Sequence, residues 1–330
     1  MKIAVIGAGA WGTTVANLLA EKGFDATIWA FEEKTVLNIN GARENTMYLP
    51  GIKLSRNLKA VKDMGEAVKG SGIVVIAIPS KHLKASLSSA GSLLDRKMII
   101  MSLTKGIETG SFKRPSQIIS EIAPGNPIVA LSGPNLSMEI AKGLPAASVA
   151  ASEDISAAKK IQEILSNERF RIYTSDDIIG VEIGGAMKNV IALAAGICDG
   201  LNLGNNAKSA LIVRGLAEIT RLGTALGAKP ETFSGLSGIG DLITTCESAL
   251  SRNHTVGKEI ARGKKAKDII KNMSAVPEGV ETALSARELA KKMNIDMPIT
   301  NEVHAVIFED KDPKAAISVL MARPPKRESF

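Results

Sequence analysis

The sequence predicts an α/β domain with a parallel sheet, followed by an all-α domain. Short apolar runs of strand length alternate with helical patterns in the first half of the chain, whereas helical periodicity without strand-like runs continues from about residue 178 to residue 308. A chain of 330 residues is also longer than one hydrophobic core usually supports, which favours roughly two domains.

Buried strands are predicted where the apolar runs are short and bounded by turn residues. Aromatic residues supply only 3% of the chain, so aliphatic side chains must build the core, as they do in parallel sheets covered by helices. We place the boundary in the polar stretch 174–177, where Asp176 or Asp177 could cap a long helix, which gives domains of residues 1–178 and 179–330. The predicted strands are Ile3–Ile6, Ala26–Trp29, Ile73–Ile78, Met98–Leu103, Ile128–Leu131 and Ala147–Ala150.

Composition excludes several classes of protein. The formal charge is +7, but Lys and Arg are spread along the chain without a basic run interleaved with aromatic residues, so no nucleic-acid partner is expected. Cys198 and Cys246 lie far apart without a second thiol or a histidine at metal spacing, so we expect buried thiols and no metal. The run before Gly7 is too short for a signal peptide, and no run reaches the ~20 apolar residues of a membrane span, so a cytoplasmic location is expected.

A glycine-rich turn follows the first predicted strand, as Gly7-Ala8-Gly9-Ala10-Trp11-Gly12, and opens an apolar helix. In this pattern Gly7 permits a tight turn, Gly9 lets the backbone approach a pyrophosphate, and Gly12 lets the helix pack closely on the strand. The helix N-terminus then offers N–H groups to the anion. We therefore predict a Rossmann domain that binds a dinucleotide.

The residues after the second predicted strand bear on the choice between NAD and NADP. Glu32 lies where an acid would hold the adenosine ribose hydroxyls, with Glu33 beside it and no arginine nearby, which favours NAD. The alternative is that both acids are solvated residues at the start of a helix.

Reduction of a ketone needs a group that stabilises and protonates the forming alkoxide. We discount His82, His254 and His304, because none has an obvious acidic partner in its sequence context and each suits a surface or packing role. Lys188 is a better candidate, since it lies among small and apolar residues on a predicted helix and Asn189 follows it. The alternative is a lysine that extends to solvent from an amphipathic helix.

Polar residues cluster at four other places. Lys105 and the triplet Gly133-Pro134-Asn135 follow predicted strands at the sheet edge where open α/β folds bind ligands. In the helical half, Asp241 ends the run Gly238-Ile239-Gly240-Asp241, and Ser251-Arg252-Asn253 adds an arginine and amide donors. Each could be an ordinary turn or helix cap, but together they suit a phosphorylated substrate.

These segments together resemble the bacterial NAD(P)-dependent glycerol-3-phosphate dehydrogenases over nearly the whole chain. The resemblance implies a Rossmann domain, a helical substrate domain and the interconversion of sn-glycerol 3-phosphate and dihydroxyacetone phosphate, directed towards phospholipid synthesis. The motifs that carry it occur in the family's order: GAGAWGT, NTMYLPG, LTKGIE, LSGPNLSMEIAKGLP, EIGGAMKNVIALAAGICDGL, NAKSALIVRGLAEITRLG, GLSGIGDLITTC, SRNHTVG and VPEGVETA.

The resemblance also implies roles for residues. Lys188 matches the catalytic lysine. The substrate-binding candidates are Lys105, Gly133, Asn135, Lys188, Asp241, Ser251, Arg252 and Asn253, and the cofactor-binding candidates are Gly7, Gly9, Ala10, Trp11, Gly12, Phe31, Glu32, Lys105, Ser137, Arg252, Val276 and Glu278. Phe31-Glu32 departs from the basic residue that many members carry after the second strand, and Ser137 replaces a common alanine.

Two other functions remain open at this point. A β-hydroxyacid or 6-phosphogluconate type of dehydrogenase also joins a Rossmann domain to a helical domain. A redox sensor could bind the dinucleotide without turnover, but it would leave Lys188, Asp241 and Arg252 without a joint purpose. A homodimer is possible, although no sequence feature fixes one.

Overall fold

The computed structural model describes residues 1–271, 273, 277–325 and 327–328. Two compact units are present: the first comprises residues 1–105 and 115–178, and the second comprises residues 106–114 and 179–330.

The first unit contains one eight-stranded sheet with the strand order β3-β2-β1-β4-β5-β6-β7-β8. Its central strands pair in parallel and are almost fully buried, as the predicted aliphatic runs require. All six predicted strands are present, and each of these six begins and ends within two residues of its prediction; β3 and β8 were not predicted. The strands are β1 (Lys2–Ile6), β2 (Asp25–Trp29), β3 (Leu58–Val61), β4 (Ile73–Ile76), β5 (Ile99–Ser102), β6 (Ile128–Ser132), β7 (Ala146–Ala151) and β8 (Phe170–Ser175).

The sheet is mostly parallel, as predicted, but it contains one antiparallel pair of strands. Strand β7 pairs antiparallel with β6, whereas β8 pairs parallel with β7. The cause is the connection after β6, which contains only the five-residue helix Ser137–Ala141. Because no long crossover helix carries the chain back, β7 begins at the same end of the sheet at which β6 ends. Two neighbouring strands connected in this way run antiparallel.

Helices cover both faces of this sheet. Alternate residues of each strand point to opposite faces, so Ile3 and Val5 pack with one group of helices while Ala4 and Ile6 pack with the other. Helices α1, α6 and α7 supply the first core and α3, α4 and α5 the second. The helices are α1 (Ala10–Glu21), α2 (Glu33–Leu37), α3 (Met64–Val68), α4 (Ser80–Ser88), α5 (Pro115–Ile122), α6 (Ser137–Ala141) and α7 (Ile155–Leu165).

Among its described residues the second unit contains helices and connecting loops but no strand, as the sequence predicts. Its core is a single apolar cluster to which α8 contributes along most of its length. The helices are α8 (Ile178–Gly200), α9 (Gly204–Ala225), α10 (Asp241–Glu247), α11 (Arg252–Ala261), α12 (Ala266–Lys271), α13 (Glu278–Lys292), α14 (Pro298–Phe308) and α15 (Pro313–Met321).

Helix α8 is the one described helix that is long and apolar enough to cross a bilayer, and 94% of its most apolar window is buried inside the protein. Both cysteines are buried free thiols, as predicted. Burial raises the pKa of Cys198 to about 11 and that of Cys246 to about 12, so both thiols stay protonated at neutral pH.

The segment 106–114 packs with the second unit, although its neighbours in sequence belong to the first. Ile107 enters the helical core, and the Arg114 guanidinium forms an ion pair with the buried carboxylate of Glu182 on α8. Thr109 Oγ1 lies 3.1 Å from Ser285 Oγ on α13. These contacts fix the polypeptide that directly follows Lys105.

Candidate active site

The glycine turn between β1 and α1 depends on its glycines. Gly7 has φ +115°, and a Cβ there would lie 2.5 Å from the Ala77 carbonyl oxygen. A Cβ on Gly12 would lie 2.0 Å from the Gly7 carbonyl oxygen, so α1 could not start so close to the strand. Gly9 has no atom within 4 Å of its Cβ position, which leaves the backbone open to a ligand.

Trp11 and Ser137 lie beside this turn. Thr14 on α1 donates a hydrogen bond of 3.3 Å to the Ser137 carbonyl, so α6 begins next to α1. Trp11 packs edge-on against Phe170 with 6.2 Å between the ring centroids. Its indole Nε1 is buried with no hydrogen-bond partner in the described protein. A buried donor of this kind suits an acceptor on a ligand.

Phe31 and Glu32 follow the end of β2. Phe31 is exposed, with Lys62 Nζ 4.9 Å from the centre of its ring. Glu32 directly precedes α2, but its side chain does not cap that helix; it accepts a 2.9 Å hydrogen bond from the Tyr48 hydroxyl instead. Partial burial and this bond to Glu32 raise the pKa of Tyr48. Glu33 is exposed, so the solvated-acid interpretation fits Glu33 and not Glu32.

Lys105, Gly133 and Asn135 lie together in the first unit, past the carboxyl ends of β5 and β6. The buried Lys105 Nζ donates 2.9 Å to Asn135 Oδ1 and lies 3.5 Å from the Gly133 carbonyl oxygen. Because Asn135 Oδ1 faces the ammonium group, its Nδ2 points elsewhere, where it is buried without a partner in the described protein. The Lys105 ammonium group and the Asn135 amide donor therefore lie together at this edge of the sheet.

In the second unit, Lys188 on α8 forms a buried ion pair with Asp241, the first residue of α10. Thr245, one turn further on, donates 2.7 Å to the Asp241 carbonyl oxygen and lies 3.4 Å from its Oδ1. Gly184 permits this arrangement, since a Cβ there would lie 2.4 Å from the Ser237 carbonyl oxygen. The small residues of α8 thus admit the loop that carries Asp241.

A second series of hydrogen-bonded side chains lies beside this pair. Asn189 Oδ1 accepts 2.9 Å from Asn253 Nδ2, and Asn253 Oδ1 accepts 3.1 Å from the N–H of Gly279, at the start of α13. Asn189 Nδ2 is buried with no partner in the described protein. Ser251 caps α11 through the His254 N–H. The amides are therefore fixed by helix termini before any ligand binds.

The remaining candidates occupy helix starts in the second unit. Arg252 is the first residue of α11 and is exposed, and Glu278 is the first residue of α13 and is half-buried. Val276 lies outside the described residues.

Sequence reasoning missed Asn189 and Thr245 as site residues. Their signal was positional: Asn189 follows Lys188 directly, and Thr245 lies four residues after Asp241, on the same face of a helix.

The expectation that the histidines lack acidic partners is wrong for two of them. His254 Nε2 lies 2.7 Å from Asp199 Oδ2, and His304 Nδ1 lies 3.3 Å from Glu309 Oε1; both histidines are buried. Their partners are 55 and 5 residues away, and for His254 only the fold brings the acid close. His82 is exposed, as predicted.

The first unit fits a dinucleotide. The open backbone at Gly9 and the twelve-residue helix α1 that follows are suited to a pyrophosphate, and Glu32 is suited to ribose hydroxyls. A sheet with this turn, together with a helical unit that carries a buried lysine–carboxylate pair, defines a Rossmann-type dehydrogenase with a helical second unit.

Comparison with known proteins identifies the family within this class of dehydrogenases. The models of the N-terminus and the C-terminus of NAD-dependent glycerol-3-phosphate dehydrogenase match residues 2–158 and 177–318. A Geobacter metallireducens protein named glycerol-3-phosphate dehydrogenase (NAD(P)+) is 47% identical over 99% of this chain and 98% of its own length.

Two solved structures of glycerol-3-phosphate dehydrogenases are similar over nearly the whole chain. The Coxiella burnetii structure has 38% identity and a TM-score of 0.94, covering 98% of this chain and 99% of its own. The Saccharomyces cerevisiae structure has 31% identity and a TM-score of 0.84, covering 97% and 99%. The chain belongs to the NAD-dependent glycerol-3-phosphate dehydrogenase family.

Proposed function

We propose that this protein interconverts sn-glycerol 3-phosphate and dihydroxyacetone phosphate with NAD(P)(H). The carrying observation is the buried Lys188–Asp241 pair, which lies in the helical unit of a chain whose other unit has a dinucleotide turn. A lysine at this depth with a fixed carboxylate partner suits proton transfer, and a lysine extending to solvent would be exposed.

When bound, the dinucleotide supplies or accepts the hydride at its nicotinamide ring. Lys188 Nζ donates a proton to the alkoxide oxygen during reduction and accepts the hydroxyl proton during oxidation. Asp241 holds Nζ in position through the buried ion pair. Burial of the pair excludes water, which strengthens the stabilisation of charge on the alkoxide.

We propose two sets of substrate contacts, each within its own unit. In the second unit, Arg252, Ser251 and Asn253 are proposed for the phosphate, because α11 begins there and a guanidinium forms charge-assisted hydrogen bonds to phosphate oxygens. In the first unit, Lys105, Gly133 and Asn135 are proposed as further contacts, supported by the buried ammonium and the unpaired amide donor.

The cofactor contacts are proposed on the same grounds. Phe31 and Glu32 are assigned to the adenosine end, and the carboxylate of Glu32 favours NAD over NADP because it repels a 2′-phosphate. The other proposed contacts are Gly7, Gly9, Ala10, Trp11, Gly12, Lys105, Ser137, Arg252, Val276 and Glu278.

We also propose the roles of the two domains, the oligomeric state and the metabolic role of the protein. We assign residues 1–178 to dinucleotide binding and residues 179–330 to substrate binding. A cytoplasmic homodimer that supplies glycerol 3-phosphate for phospholipid synthesis is proposed from the family resemblance. Light scattering of the purified protein tests the dimer.

The test of function is oxidation of NADH and NADPH, with and without dihydroxyacetone phosphate, at matched concentrations. Rapid oxidation that requires this ketone supports the proposal, and the ratio of the two rates gives the cofactor preference. Turnover with 3-hydroxyacids or 6-phosphogluconate instead would overturn the proposed substrate. Nucleotide binding without turnover on any of these substrates would favour a sensor.

A further inference from the structure

Residues 45–49 belong to a motif, NTMYLPG, that the proposed function leaves without a role. The segment is a tight turn in which the Leu49 N–H donates 2.8 Å to the Asn45 carbonyl oxygen. Asn45 has no exposed surface and Leu49 is 1% exposed. The turn is therefore anchored in the first unit at both ends, and the residues between the anchors are held in place.

Asn45 holds the glycine turn. Its Nδ2 donates 2.8 Å to the Ala8 carbonyl oxygen and 2.8 Å to Thr13 Oγ1, so both amide hydrogens are used on the turn between β1 and α1. Its Oδ1 accepts 3.3 Å from the Tyr48 N–H. One side chain thus links the backbone of the pyrophosphate turn to the backbone that carries Tyr48.

Tyr48 holds the acid at the other end of the cofactor site. Its hydroxyl donates 2.9 Å to Glu32 Oε1. This leaves Oε2 to accept from ribose hydroxyls, with the plane of the carboxylate already fixed. A restrained carboxylate binds a diol at a smaller entropic cost, and it rotates away from a 2′-phosphate less readily.

We propose that Asn45 and Tyr48 are positioning residues of the dinucleotide site, and that Tyr48 sets the preference for NAD(H) by fixing Glu32. Asn45 acts on the pyrophosphate turn, which is common to NAD and NADP. Tyr48 acts on the single position at which the two cofactors differ. This inference rests on the part of the proposed function that concerns dinucleotide binding, and not on the substrate.

The test is direct titration of the purified protein with NADH and with NADPH, followed by nucleotide fluorescence and without any ketone. We expect Tyr48→Phe to raise the Kd for NADH about 3- to 10-fold, because only part of the energy of the lost hydrogen bond is felt by the ligand, and to leave the Kd for NADPH unchanged or lower. Tyr173→Phe is the matched control, because Tyr173 is exposed on β8. It should change neither Kd.

A double-mutant cycle tests whether Tyr48 acts through Glu32. In the Glu32→Gln background, Tyr48→Phe should have no further effect on the ratio of the two Kd values. An equal change of that ratio in both backgrounds would overturn the inference, and so would equal weakening of NADH and NADPH by Tyr48→Phe alone.

The variant Asn45→Asp tests the proposed role of Asn45 separately. It keeps the shape of the side chain but removes both donors from the glycine turn, so we expect NADH and NADPH to weaken by the same factor. A change in their ratio would contradict the assigned role. If wild-type protein binds NADH but does not reduce dihydroxyacetone phosphate, only the proposed substrate fails; if it binds neither nucleotide, both proposals fail.

Discussion

Lys188 and Asp241 form an ion pair in which 9% of the lysine side chain and 1% of the aspartate side chain are exposed. The desolvation of two charges makes such a pair a weak source of stability, since well-packed apolar residues of similar volume often serve as well. The pair nevertheless depends on Gly184, which admits the loop that carries Asp241. A role in catalysis therefore explains the pair better than a contribution to folding stability does.

The first prediction concerns turnover. Lys188→Met should lower kcat for dihydroxyacetone phosphate by about 10²- to 10⁴-fold, because it removes the proton donor. The Kd for NADH should stay unchanged in fluorescence titration. Lys208→Met is the matched control: Lys208 is also mostly buried in the helical unit and paired with carboxylates, those of Asp199 and Glu247. Retained turnover in the Lys188 variant would remove this lysine from the catalytic role.

The second prediction separates stability from catalysis at the same pair. Lys188→Met takes the ion-pair partner away from the buried Asp241 carboxylate, so it should lower the free energy of unfolding by about 3–5 kcal/mol. The double variant Lys188→Met/Asp241→Leu should regain most of this stability in denaturant titrations but no turnover. If the double variant recovered activity along with stability, the lysine would have only a structural role.

The sequence predicts most of the fold because its signals are local. Six strands and the helical second half follow from apolar periodicity, and the dinucleotide turn follows from three glycines at fixed spacing. Strands β3 and β8 were missed, because Leu58-Lys59-Ala60-Val61 is short and carries a lysine, and Phe170–Ser175 alternates apolar residues with Arg171 and Tyr173. The direction of β7 depends on how the chain returns after β6, which no residue pattern records.

The sequence yields candidate site residues one at a time but not their arrangement in space. Lys188 and Asp241 are 53 residues apart, and Asn189 and Asn253 are 64 apart, so only packing of α8 against its neighbours joins them. The same limit explains the error at His254, whose partner Asp199 lies 55 residues away. Tyr48 and Glu32 are 16 residues apart, and their hydrogen bond could not be predicted from the sequence either.

The third prediction concerns the substrate phosphate. Arg252→Ala should raise the KM for dihydroxyacetone phosphate about 10- to 100-fold with a smaller effect on kcat, because charge-assisted hydrogen bonds to the phosphate form before the chemical step. Arg262→Ala is the control, since Arg262 follows the last turn of the same helix and pairs with Glu259. A fall in kcat at unchanged KM would contradict a role in phosphate binding.

The fourth prediction concerns a buried carboxyl group outside the site. Glu218 on α9 is 2% exposed, and it accepts hydrogen bonds from the Ile299 and Thr300 N–H groups and the Thr300 hydroxyl at the start of α14. Burial raises its pKa to about 7, against the effect of these hydrogen bonds. The folded state therefore binds more protons than the unfolded state between the ordinary glutamate pKa and pH 7.

The sign of the effect follows from proton linkage: where the folded state holds the extra proton, stability falls as pH rises. The contribution of Glu218 is fully present below its unfolded pKa and is lost as pH rises through about 7. Glu218→Gln should therefore flatten the decline of unfolding free energy between pH 5 and pH 8 in denaturant titrations. Thr300→Val keeps the carboxyl group but removes one bond to its charged form, so the decline should persist and extend to higher pH. Equal pH profiles for wild type and Glu218→Gln would show that Glu218 stays ionised throughout this range.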